Sequence, residues 1–294
     1  MPNINGETKV YGIVGKPVCH SLSPMFQHSF LEEHQINATY VPFLVADQES
    51  VDVSLQGLWH AGVQGLNITV PYKEMAFQHS SPDEDAQRIG AVNTLYRGEG
   101  GWSSTNTDWQ GIYDVIQQKQ WPVEGKDVLL FGAGGTARAI VHALNLLNIK
   151  TLYITNRTAE RAQQLQQHAK EQYPDLNIEL VDWDDKKLQA TMLSTSLLIN
   201  ATTQGLKEGD TFPFALVGEG YALDVVYRPS GKTAFRCSAM ACGREAVDGL
   251  PMLLAQGAAS FSHWHGRKPD WIRTLAWLES KLARSQIFRW KGTL

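Results

Sequence analysis

Hydrophobic and polar positions along the first hundred residues predict short strands that alternate with amphipathic helices. Apolar runs at 10–14, 39–43 and 66–70 have the length and composition of buried strands. The stretches 25–34 and 51–59 between them repeat their apolar residues at helical spacing. Strands that alternate with helices in this way predict an α/β domain with a mainly parallel sheet.

A glycine-rich segment near residue 100 predicts a departure from parallel pairing. Arg97–Gly101 lies between the strand-like runs 92–96 and 102–105, which is the pattern of a hairpin turn. Trp109–Lys119 then predicts a connecting helix, and Trp121-Pro122 brings it to an end. We therefore expect a domain boundary around this helix.

A second α/β pattern follows. Its predicted strands are 128–131, 151–155, 178–181, 197–200 and 222–226, and its predicted helices are 136–147 and 159–172. The last block, 249–265 and 271–284, is helical and has no strand of its own. We therefore expect these terminal helices to pack back on the first domain.

Composition narrows the class of protein. The 294 residues suffice for two ordinary domains, and 43% hydrophobic against 19% charged residues is typical of a folded globular chain. The net charge of −4 argues against a nucleic-acid partner. No stretch reaches the roughly 18 apolar residues of a membrane helix, and the N-terminus lacks the pattern of a signal peptide. Three unpatterned cysteines, at 19, 237 and 242, suit reduced thiols, so we expect a cytoplasmic location.

The sharpest local feature is a glycine-rich turn between a strand and a helix. Val128–Phe131 runs into the sequence Gly-Ala-Gly-Gly at 132–135, and an apolar helix follows. In a dinucleotide fingerprint, Gly132 permits the tight turn, Gly134 lets the backbone approach a pyrophosphate, and Ala137 takes the helix-packing position. The helix N-terminus offers its N–H groups to phosphate. The alternative is a purely structural turn.

The end of the next predicted strand indicates which dinucleotide binds. Asn156-Arg157-Thr158 stands where an NAD-preferring site normally has an acidic residue for the ribose 2′-hydroxyl. Arg157 can instead bind a 2′-phosphate in a bidentate manner, and Arg161 can add charge one helical turn further on. The pattern predicts NADP as the cofactor. The alternative is a polar strand end capped by Thr158.

Polar clusters in the first domain follow predicted strands. Ser21 and Ser23 precede a helix start, where they can cap the helix or bind a carboxylate or hydroxyls. Asn67 and Thr69 point to the same face of an extended strand, with Lys73 just beyond its end. Two further strand ends that bear asparagine are Ala91–Thr94 and Asn106–Asp108. Each cluster alone is typical of turn chemistry.

Together these segments resemble the shikimate dehydrogenase family over nearly the whole chain. The matching motifs, in order, are Gly15-Lys-Pro17, His20-Ser-Leu-Ser-Pro24, Asn67-Ile-Thr-Val-Pro-Tyr-Lys73, Ala91-Val-Asn-Thr94, Asn106-Thr-Asp108, Gly132-Ala-Gly-Gly135, Asn156-Arg-Thr158, Asn200-Ala-Thr202, Asp224-Val-Val-Tyr227 and Asp248-Gly-Leu-Pro-Met-Leu-Leu-Ala-Gln256. So many motifs in order are far more specific than a shared nucleotide-binding fold.

The resemblance implies a reversible hydride transfer between NADPH and 3-dehydroshikimate that gives shikimate, a step of aromatic amino-acid biosynthesis in the chorismate pathway. It implies a substrate-binding catalytic domain over 1–108, an NADP-binding Rossmann domain over 109–246, and C-terminal helices over 247–294 that pack on the substrate domain. The expected partner is the small-molecule substrate, with a homodimer left open. No nucleic acid, membrane or metal is expected.

The resemblance also implies a role for individual residues. Lys73 and Asp108 become the catalytic pair. The implied substrate-binding residues are Ser21, Ser23, Thr69, Asn93, Tyr227 and Gln256. The implied cofactor-binding residues are Gly132, Ala133, Gly134, Gly135, Asn156, Arg157, Thr158, Thr202, Val225 and Gly249. For Thr202, Val225 and Gly249, an explanation as strand ends and a turn fits nearly as well.

A lysine beside a carboxylate suits this reaction. When hydride reaches a carbonyl carbon, negative charge grows on the oxygen and a proton must arrive. Lys73 can stabilise that charge and supply the proton, while Asp108 stabilises the ammonium form and fixes its direction. Without the family resemblance, Lys73 would be read as a solvent-exposed lysine after a strand.

Three positions depart from the pattern of many relatives, and three other functions stay open. Trp109 and Pro251 stand where glycine is common, and Ala234 stands where proline is common. A quinate or dual quinate/shikimate dehydrogenase is the first alternative, although Arg157 argues against the NAD site that would favour it. A nucleotide sensor without catalysis and a folate-type dehydrogenase are the others.

The basic segment from Arg267 to Leu294, which contains Trp290, predicts a solvated amphipathic helix or, less favoured, a self-association surface.

Overall fold

The computed structural model describes residues 4–206 and 209–284 of the chain. The predicted basic tail beyond residue 284, with Trp290, lies outside the described residues. The chain divides into two compact units, the first formed by Met1–Gly111 and Leu253–Thr274 and the second by Ile112–Met252 and Leu275–Leu294. The domain boundaries expected from the sequence, after 108 and after 246, stay a prediction.

The first unit is an α/β layer around one six-stranded sheet. Its strands are β1 (Lys9–Gly15), β2 (Ala38–Leu44), β3 (Gly65–Ile68), β4 (Ser81–Pro82), β5 (Thr94–Arg97) and β6 (Trp102–Thr105). Its helices in the N-terminal half are α1 (Ser23–Glu33), α2 (Val51–His60), α3 (Lys73–Gln78) and α4 (Glu84–Ile89). The strand order is β2-β1-β3-β5-β6-β4, and β5 is antiparallel to both neighbours. The hairpin that the sequence predicted at Arg97–Gly101 is therefore present.

The centre of this sheet is buried on both faces. Five consecutive residues of β1 are buried, which is the pattern of a strand covered by helices on either side. Val14, Leu66 and Leu95 from three neighbouring strands join one hydrophobic cluster with Tyr72 at the start of α3. Packing of this kind holds the carboxyl ends of β1 and β3 in place, where the polar motifs begin.

A C-terminal helix completes the first unit. α10 (Leu250–His265) belongs to this unit from Leu253 onward. Gln27 of α1 donates to the carbonyl of Gly257 at 3.0 Å, and Trp264 Nε1 donates to the carbonyl of Leu95 at 3.0 Å. The return of the chain to the first domain, expected because this block has no strand of its own, is thus confirmed for α10.

The second unit is a doubly wound parallel sheet. Its strands are β7 (Asp127–Phe131), β8 (Thr151–Thr155), β9 (Asn177–Leu180), β10 (Leu197–Asn200), β11 (Tyr221–Asp224) and β12 (Glu245–Val247). The strand order is β12-β11-β10-β7-β8-β9, and every neighbouring pair is parallel. From β7 the chain adds β8 and β9 on one side of the sheet, and then β10, β11 and β12 on the other side. This is the strand order of the Rossmann fold, whose ligand crevice lies at the reversal, outside the carboxyl ends of the strands.

The remaining helices precede, connect or follow these strands. They are α5 (Asp108–Lys119), α6 (Gly135–Leu146), α7 (Ala159–Gln172), α8 (Asp185–Ser194), α9 (Ala234–Ala241) and α11 (Trp271–Lys281). Thr233 caps α9 by accepting from the backbone N–H of Arg236, so Ala234 in place of a proline leaves a well-formed helix start. Over the residues that the structure describes, no helix is long and apolar enough to cross a membrane.

Candidate functional site

Lys73 and Asp108 form a buried ion pair in the first unit. Lys73 begins α3 directly after the β3 motif, and Asp108 begins α5. Lys73 Nζ donates to Asp108 Oδ2, with side-chain exposures of only 12% and 5%. A lysine amine held beside a carboxylate, largely out of water, is equipped to donate or accept a proton in a defined direction.

Asn93 orients the second oxygen of this carboxylate. The Asn93 amide Nδ2 donates to Asp108 Oδ1 at 2.8 Å and to Gln256 Oε1 at 3.1 Å. Its Oδ1 accepts from the backbone N–H of Thr107 at 2.7 Å. A backbone N–H can only donate, so this contact fixes which end of the amide faces Asp108. Three residues predicted from the sequence, Asp108, Asn93 and Gln256, therefore lie in one network.

Three hydroxyls, which we name the hydroxyl cluster, lie beside Asn93. They belong to Thr94, Thr107 and Ser260, and all three residues are fully buried. Ser260 Oγ lies 2.8 Å from Thr94 Oγ1 and 3.0 Å from Thr107 Oγ1. The cluster ties α10 to β5 and to the segment that leads into α5.

Asn67 extends the network to β3 and, through Tyr40, to β2. Its Nδ2 donates to Ser260 Oγ at 2.9 Å, and its Oδ1 accepts from the Tyr40 hydroxyl at 2.8 Å. Asn67 was noted in the sequence for sharing a face with Thr69, but it was not among the predicted site residues. Asn67, Thr107, Ser260 and Tyr40 are thus site residues that the sequence analysis missed. The spacing of Ser260, four residues after Gln256 on one helix, is the signal that could have found it.

The remaining residues predicted for the substrate lie at strand ends or helix starts. Ser21 and Ser23 precede and begin α1, and the backbone N–H of Ser23 donates to Ser21 Oγ at 3.2 Å. Thr69 follows β3, half-buried, and its N–H donates to the carbonyl of Val14 at 2.9 Å. Tyr227 follows β11 in the second unit and is also half-buried. Among the described residues, the side chains of Ser21, Ser23 and Thr69 make no hydrogen bond to the network of Asn93.

The glycine-rich turn of the second unit has the shape that a dinucleotide needs. Gly132 has φ +112°, and a Cβ there would lie 2.9 Å from the carbonyl carbon of Ala201. Gly134 precedes the twelve-residue helix α6, and a Cβ there would meet no atom within 4 Å. The first glycine therefore serves the protein's own packing, whereas the second faces open space in front of a helix N-terminus, with Ala133 and Gly135 beside it, where phosphate is favoured.

The end of β8 carries an available cation. Arg157 is exposed and has no hydrogen bond or ion pair to any residue that the structure describes. Asn156 donates to the carbonyl of Thr158 at 2.8 Å and so shapes the turn into α7. Thr158 occupies the N-cap position of α7 without a capping hydrogen bond from its side chain. The alternative in which Thr158 only caps the helix requires a hydrogen bond from a backbone N–H of α7 to the Thr158 hydroxyl, and that bond is absent.

The ends of β10 and β11 form a compact polar turn. Asn200 Nδ2 donates to Asp224 Oδ1 at 2.8 Å, and Asn200 Oδ1 accepts from the N–H and the hydroxyl of Thr202. The backbone N–H of Val225 donates to the carbonyl of Asn200 at 2.9 Å, and that of Gly249 to the carbonyl of Val226 at 2.9 Å. The structure thus gives Thr202, Val225 and Gly249 the strand-end and turn geometry that was the alternative to a cofactor role, and their cofactor role stays a prediction.

Below this turn lie two buried acids and a buried arginine. Burial raises the pKa of the Asp224 carboxyl to about 7, against hydrogen bonds that lower it. Burial also raises the pKa of Asp248, which an ion pair with Arg284 lowers in part. Arg284 Nη2 donates to Asp248 Oδ1 at 2.8 Å, with both side chains at 0% exposure. Asp248 immediately precedes Gly249 in the chain, so its ion pair with Arg284 anchors the turn.

The other departures from the family pattern are accommodated locally. Trp109 is the second residue of α5 and is half-buried. Pro251 lies in the first turn of α10, where proline costs no helical hydrogen bond. Among the described residues, no group of three or more histidine, cysteine or acidic side chains is arranged to hold a metal ion.

Three family models match the chain in succession. The shikimate dehydrogenase substrate binding domain matches residues 13–95. The shikimate / quinate 5-dehydrogenase model matches residues 114–204. The shikimate 5′-dehydrogenase C-terminal domain matches residues 249–270.

Individual relatives match over almost their whole length. A shikimate dehydrogenase (NADP(+)) of Thermosynechococcus vestitus is 36% identical over 277 residues, covering 91% of this chain and 93% of the relative. The crystal structure of shikimate dehydrogenase from Aquifex aeolicus has a TM-score of 0.82 at 31% identity and covers 96% of this chain and 100% of that one. Shikimate 5-dehydrogenase from Thermus thermophilus, in complex with NADP(H) and shikimate, has a TM-score of 0.79 at 32% identity and covers 94% and 100%.

Proposed function

Because the chain belongs to the shikimate dehydrogenase family, we propose that its Lys73–Asp108 pair moves the proton in the family's reaction. The chain is an NADP-dependent oxidoreductase that interconverts shikimate and 3-dehydroshikimate. The observation that carries the assignment of roles is the buried ion pair, whose carboxylate is held by Asn93 on its other oxygen.

In the direction of reduction, Lys73 supplies the proton. The residues 132–135 and 156–158 would hold NADPH, which would supply hydride to the carbonyl carbon, so that negative charge would grow on the carbonyl oxygen. The Lys73 ammonium stabilises this charge electrostatically and passes one proton to the oxygen, which leaves a neutral amine. Asp108 keeps the amine pointed along one direction before and after transfer, and Asn93 prevents the carboxylate from rotating. In the reverse direction the neutral amine removes the hydroxyl proton.

The substrate is an anionic ring with several hydroxyls, and the proposed binding residues match it chemically. Ser21, Ser23 and Thr69 bring hydroxyls, and Asn93 and Gln256 bring amides, which can both donate and accept. Tyr227 is the one proposed binding residue that carries a phenol. A site built from such groups discriminates against analogues that lack one hydroxyl, since a buried polar group then loses its partner.

The residues at the carboxyl edge of the second sheet fit NADP. The turn of 132–135 would hold the pyrophosphate, because Gly134 faces open space in front of the α6 N-terminus. Arg157, with Asn156 and Thr158, would hold the 2′-phosphate, because its guanidinium is exposed and engaged by no described residue. Bidentate pairing of guanidinium with phosphate then favours NADP over NAD.

The decisive assay pairs two substrates with two cofactors. Shikimate and quinate are each incubated with NADP and with NAD, and formation of the reduced nicotinamide is followed by its absorbance. We expect turnover mainly with shikimate and NADP. The relatives are named shikimate dehydrogenase (NADP(+)), so quinate is not the favoured substrate for this chain. A measured preference for quinate would assign the chain to the quinate branch of the family. A cytoplasmic location and a homodimer stay predictions, which fractionation and light scattering would test.

Arg157→Ala tests the cofactor assignment. Loss of the guanidinium should weaken NADP affinity by about 10- to 100-fold, because a charge-assisted bidentate contact is lost, and should leave NAD affinity unchanged. Lys170→Ala removes an exposed cation from the last turn of α7, the helix that follows Arg157, and is the matched control. Equal losses with both cofactors would mean that Arg157 is structural.

A further inference from the structure

Ser260 makes more contacts than a serine within a helix needs. Its Oγ lies 3.0 Å from the carbonyl of Gln256, one turn earlier on α10, to which the hydroxyl can donate. That single bond commonly satisfies a serine hydroxyl in a helix. The same oxygen also contacts Thr94 at 2.8 Å, Thr107 at 3.0 Å and Asn67 Nδ2 at 2.9 Å. Three contacts to other elements, at a fully buried position, indicate a role beyond the helix itself.

These contacts surround the amide that reaches the catalytic pair. The Thr94 and Thr107 hydroxyls lie 2.9 and 3.1 Å from Asn93 Oδ1. Ser260 lies against both threonines, so it holds the groups that flank this oxygen. At its other end the Asn93 amide donates to Asp108 and to Gln256, and Gln256 is carried by the same helix as Ser260.

We propose that Ser260 is a positioning residue for Gln256 and Asn93. It fixes α10 against β5 and the segment before α5, so that Gln256 Oε1 stays within hydrogen-bond distance of Asn93 Nδ2. This inference rests on the proposed function, because the roles of Gln256 and Asn93 toward the substrate are part of it. Ser260 acts on the reaction through these two amides.

Ser260→Ala with Ser262→Ala as control tests the proposal. Ser262 lies on the same helix, and its hydroxyl donates to the carbonyl of Ala258 at 2.9 Å. Removing Ser260 Oγ takes away an acceptor of the buried Asn67 amide and loosens both threonines. We expect kcat/KM for shikimate to fall about tenfold, mainly through KM, with KM for NADP unchanged. Ser262→Ala should stay within about twofold of wild type for both substrates.

A double-mutant cycle separates positioning from general stabilisation. Because Ser260 acts through Gln256 and Asn93 together, the loss in kcat/KM of the double variant Ser260→Ala/Gln256→Ala should be clearly smaller than the product of the two single losses. Additive losses, a parallel rise in KM for NADP, or kinetics equal to those of Ser262→Ala would overturn the proposal. Should Ser260→Ala fail to fold, Ser260→Cys keeps nearly the same volume with a weaker hydrogen bond and should show the same selective rise in KM. If the wild-type chain does not oxidise shikimate, the proposed function is wrong. If the wild type is active but Ser260→Ala and Ser262→Ala have equal kinetic constants, only the role of Ser260 is wrong.

Discussion

The two units bury polar groups in different ways. In the first unit, neutral amides and hydroxyls surround a single ion pair, and Asn93, Thr107 and Ser260 each bond to several neighbours. In the second unit, charges lie together in the interior, where Asp248 pairs with a fully buried Arg284. Arg284 Nε and Nη1 have no hydrogen bond to any part of the chain that the structure describes. A neutral network positions side chains at modest cost, whereas buried charges make stability sensitive to each partner and to pH.

The candidate binding surfaces of the two units also differ in the atoms that form them. In the first unit the surface consists of side chains, so a substitution removes a donor or an acceptor. In the second unit it consists largely of backbone at 132–135, so a substitution acts by adding atoms where a ligand must approach. Variants of the two surfaces should therefore fail in different ways.

The largest effect is expected in the side-chain surface. Lys73→Ala removes the proposed proton donor and should lower kcat roughly 10²–10⁴-fold, with a smaller effect on substrate affinity. Steady-state kinetics below the thermal midpoint measure it, with Lys170→Ala as an exposed control. If the variant turns over at the wild-type rate, Lys73 is not the proton donor, and the side-chain surface of the first unit does not carry the catalytic step.

The next effect concerns stability in the second unit. Arg284→Met leaves Asp248 buried without its partner and should lower the free energy of unfolding by about 3–5 kcal/mol. Arg284→Met/Asp248→Asn removes both charges and should recover most of that loss. Urea titrations of the two variants, beside Arg161→Met at an exposed position, give the comparison. If the single and double variants are equally unstable, charge burial is not what distinguishes this unit.

Gly134→Ala sharpens the contrast between adding and removing atoms. The new methyl group meets no protein atom within 4 Å, and the backbone φ of −96° suits alanine, so the thermal midpoint should stay within a few degrees of wild type. NADP affinity should nevertheless fall about tenfold, because the pyrophosphate needs that space. Gly57→Ala, also in open space but in the first unit, is the control. Unchanged NADP affinity would mean that the phosphates lie elsewhere.

The ionisation of Asp224 should make the stability of the second unit depend on pH. Because burial raises the pKa of Asp224 to about 7, the folded chain binds more protons there than the unfolded chain between about pH 4 and pH 7. Stability contributed by this group is therefore present at low pH and is lost as the pH rises through that window. Asp224→Asn should remove a pH dependence of the order of 1–3 kcal/mol, so its stability relative to wild type should rise with pH. A difference that does not vary with pH would mean that Asp224 has the same pKa in the folded and unfolded chains.

Local patterns predicted most of the elements and the type of chemistry. Helical and strand spacing located β1, α1, β2, α2 and β3, and the run at 97–101 located the hairpin, because these signals depend on neighbouring residues alone. The same holds for the glycine-rich turn of the second sheet, whose strand and helix adjoin it in sequence.

Spatial partnerships could not be read in this way. Ser260 and Asn67 lie 193 residues apart in sequence, yet their side chains bond at 2.9 Å. Arg284 was grouped with a basic tail expected to be solvated, but it is fully buried against Asp248. In both cases the polar side chain gives no local sign of burial, since hydroxyls and guanidinium groups are usually exposed.

The sequence by itself determined the α/β class, the order of most strands and helices, the dinucleotide turn and the resemblance to a dehydrogenase family, because each is encoded in contiguous residues. Only the tertiary structure decided that α10 brings Gln256 and Ser260 to Asn93, and that Asp248 before Gly249 is paired with a buried Arg284. The physical reason is that a hydrogen bond depends on distance in space. Chain folding sets that distance through the packing of apolar faces. Because many different apolar sequences can pack in the same way, the apolar pattern alone does not specify which polar groups come together.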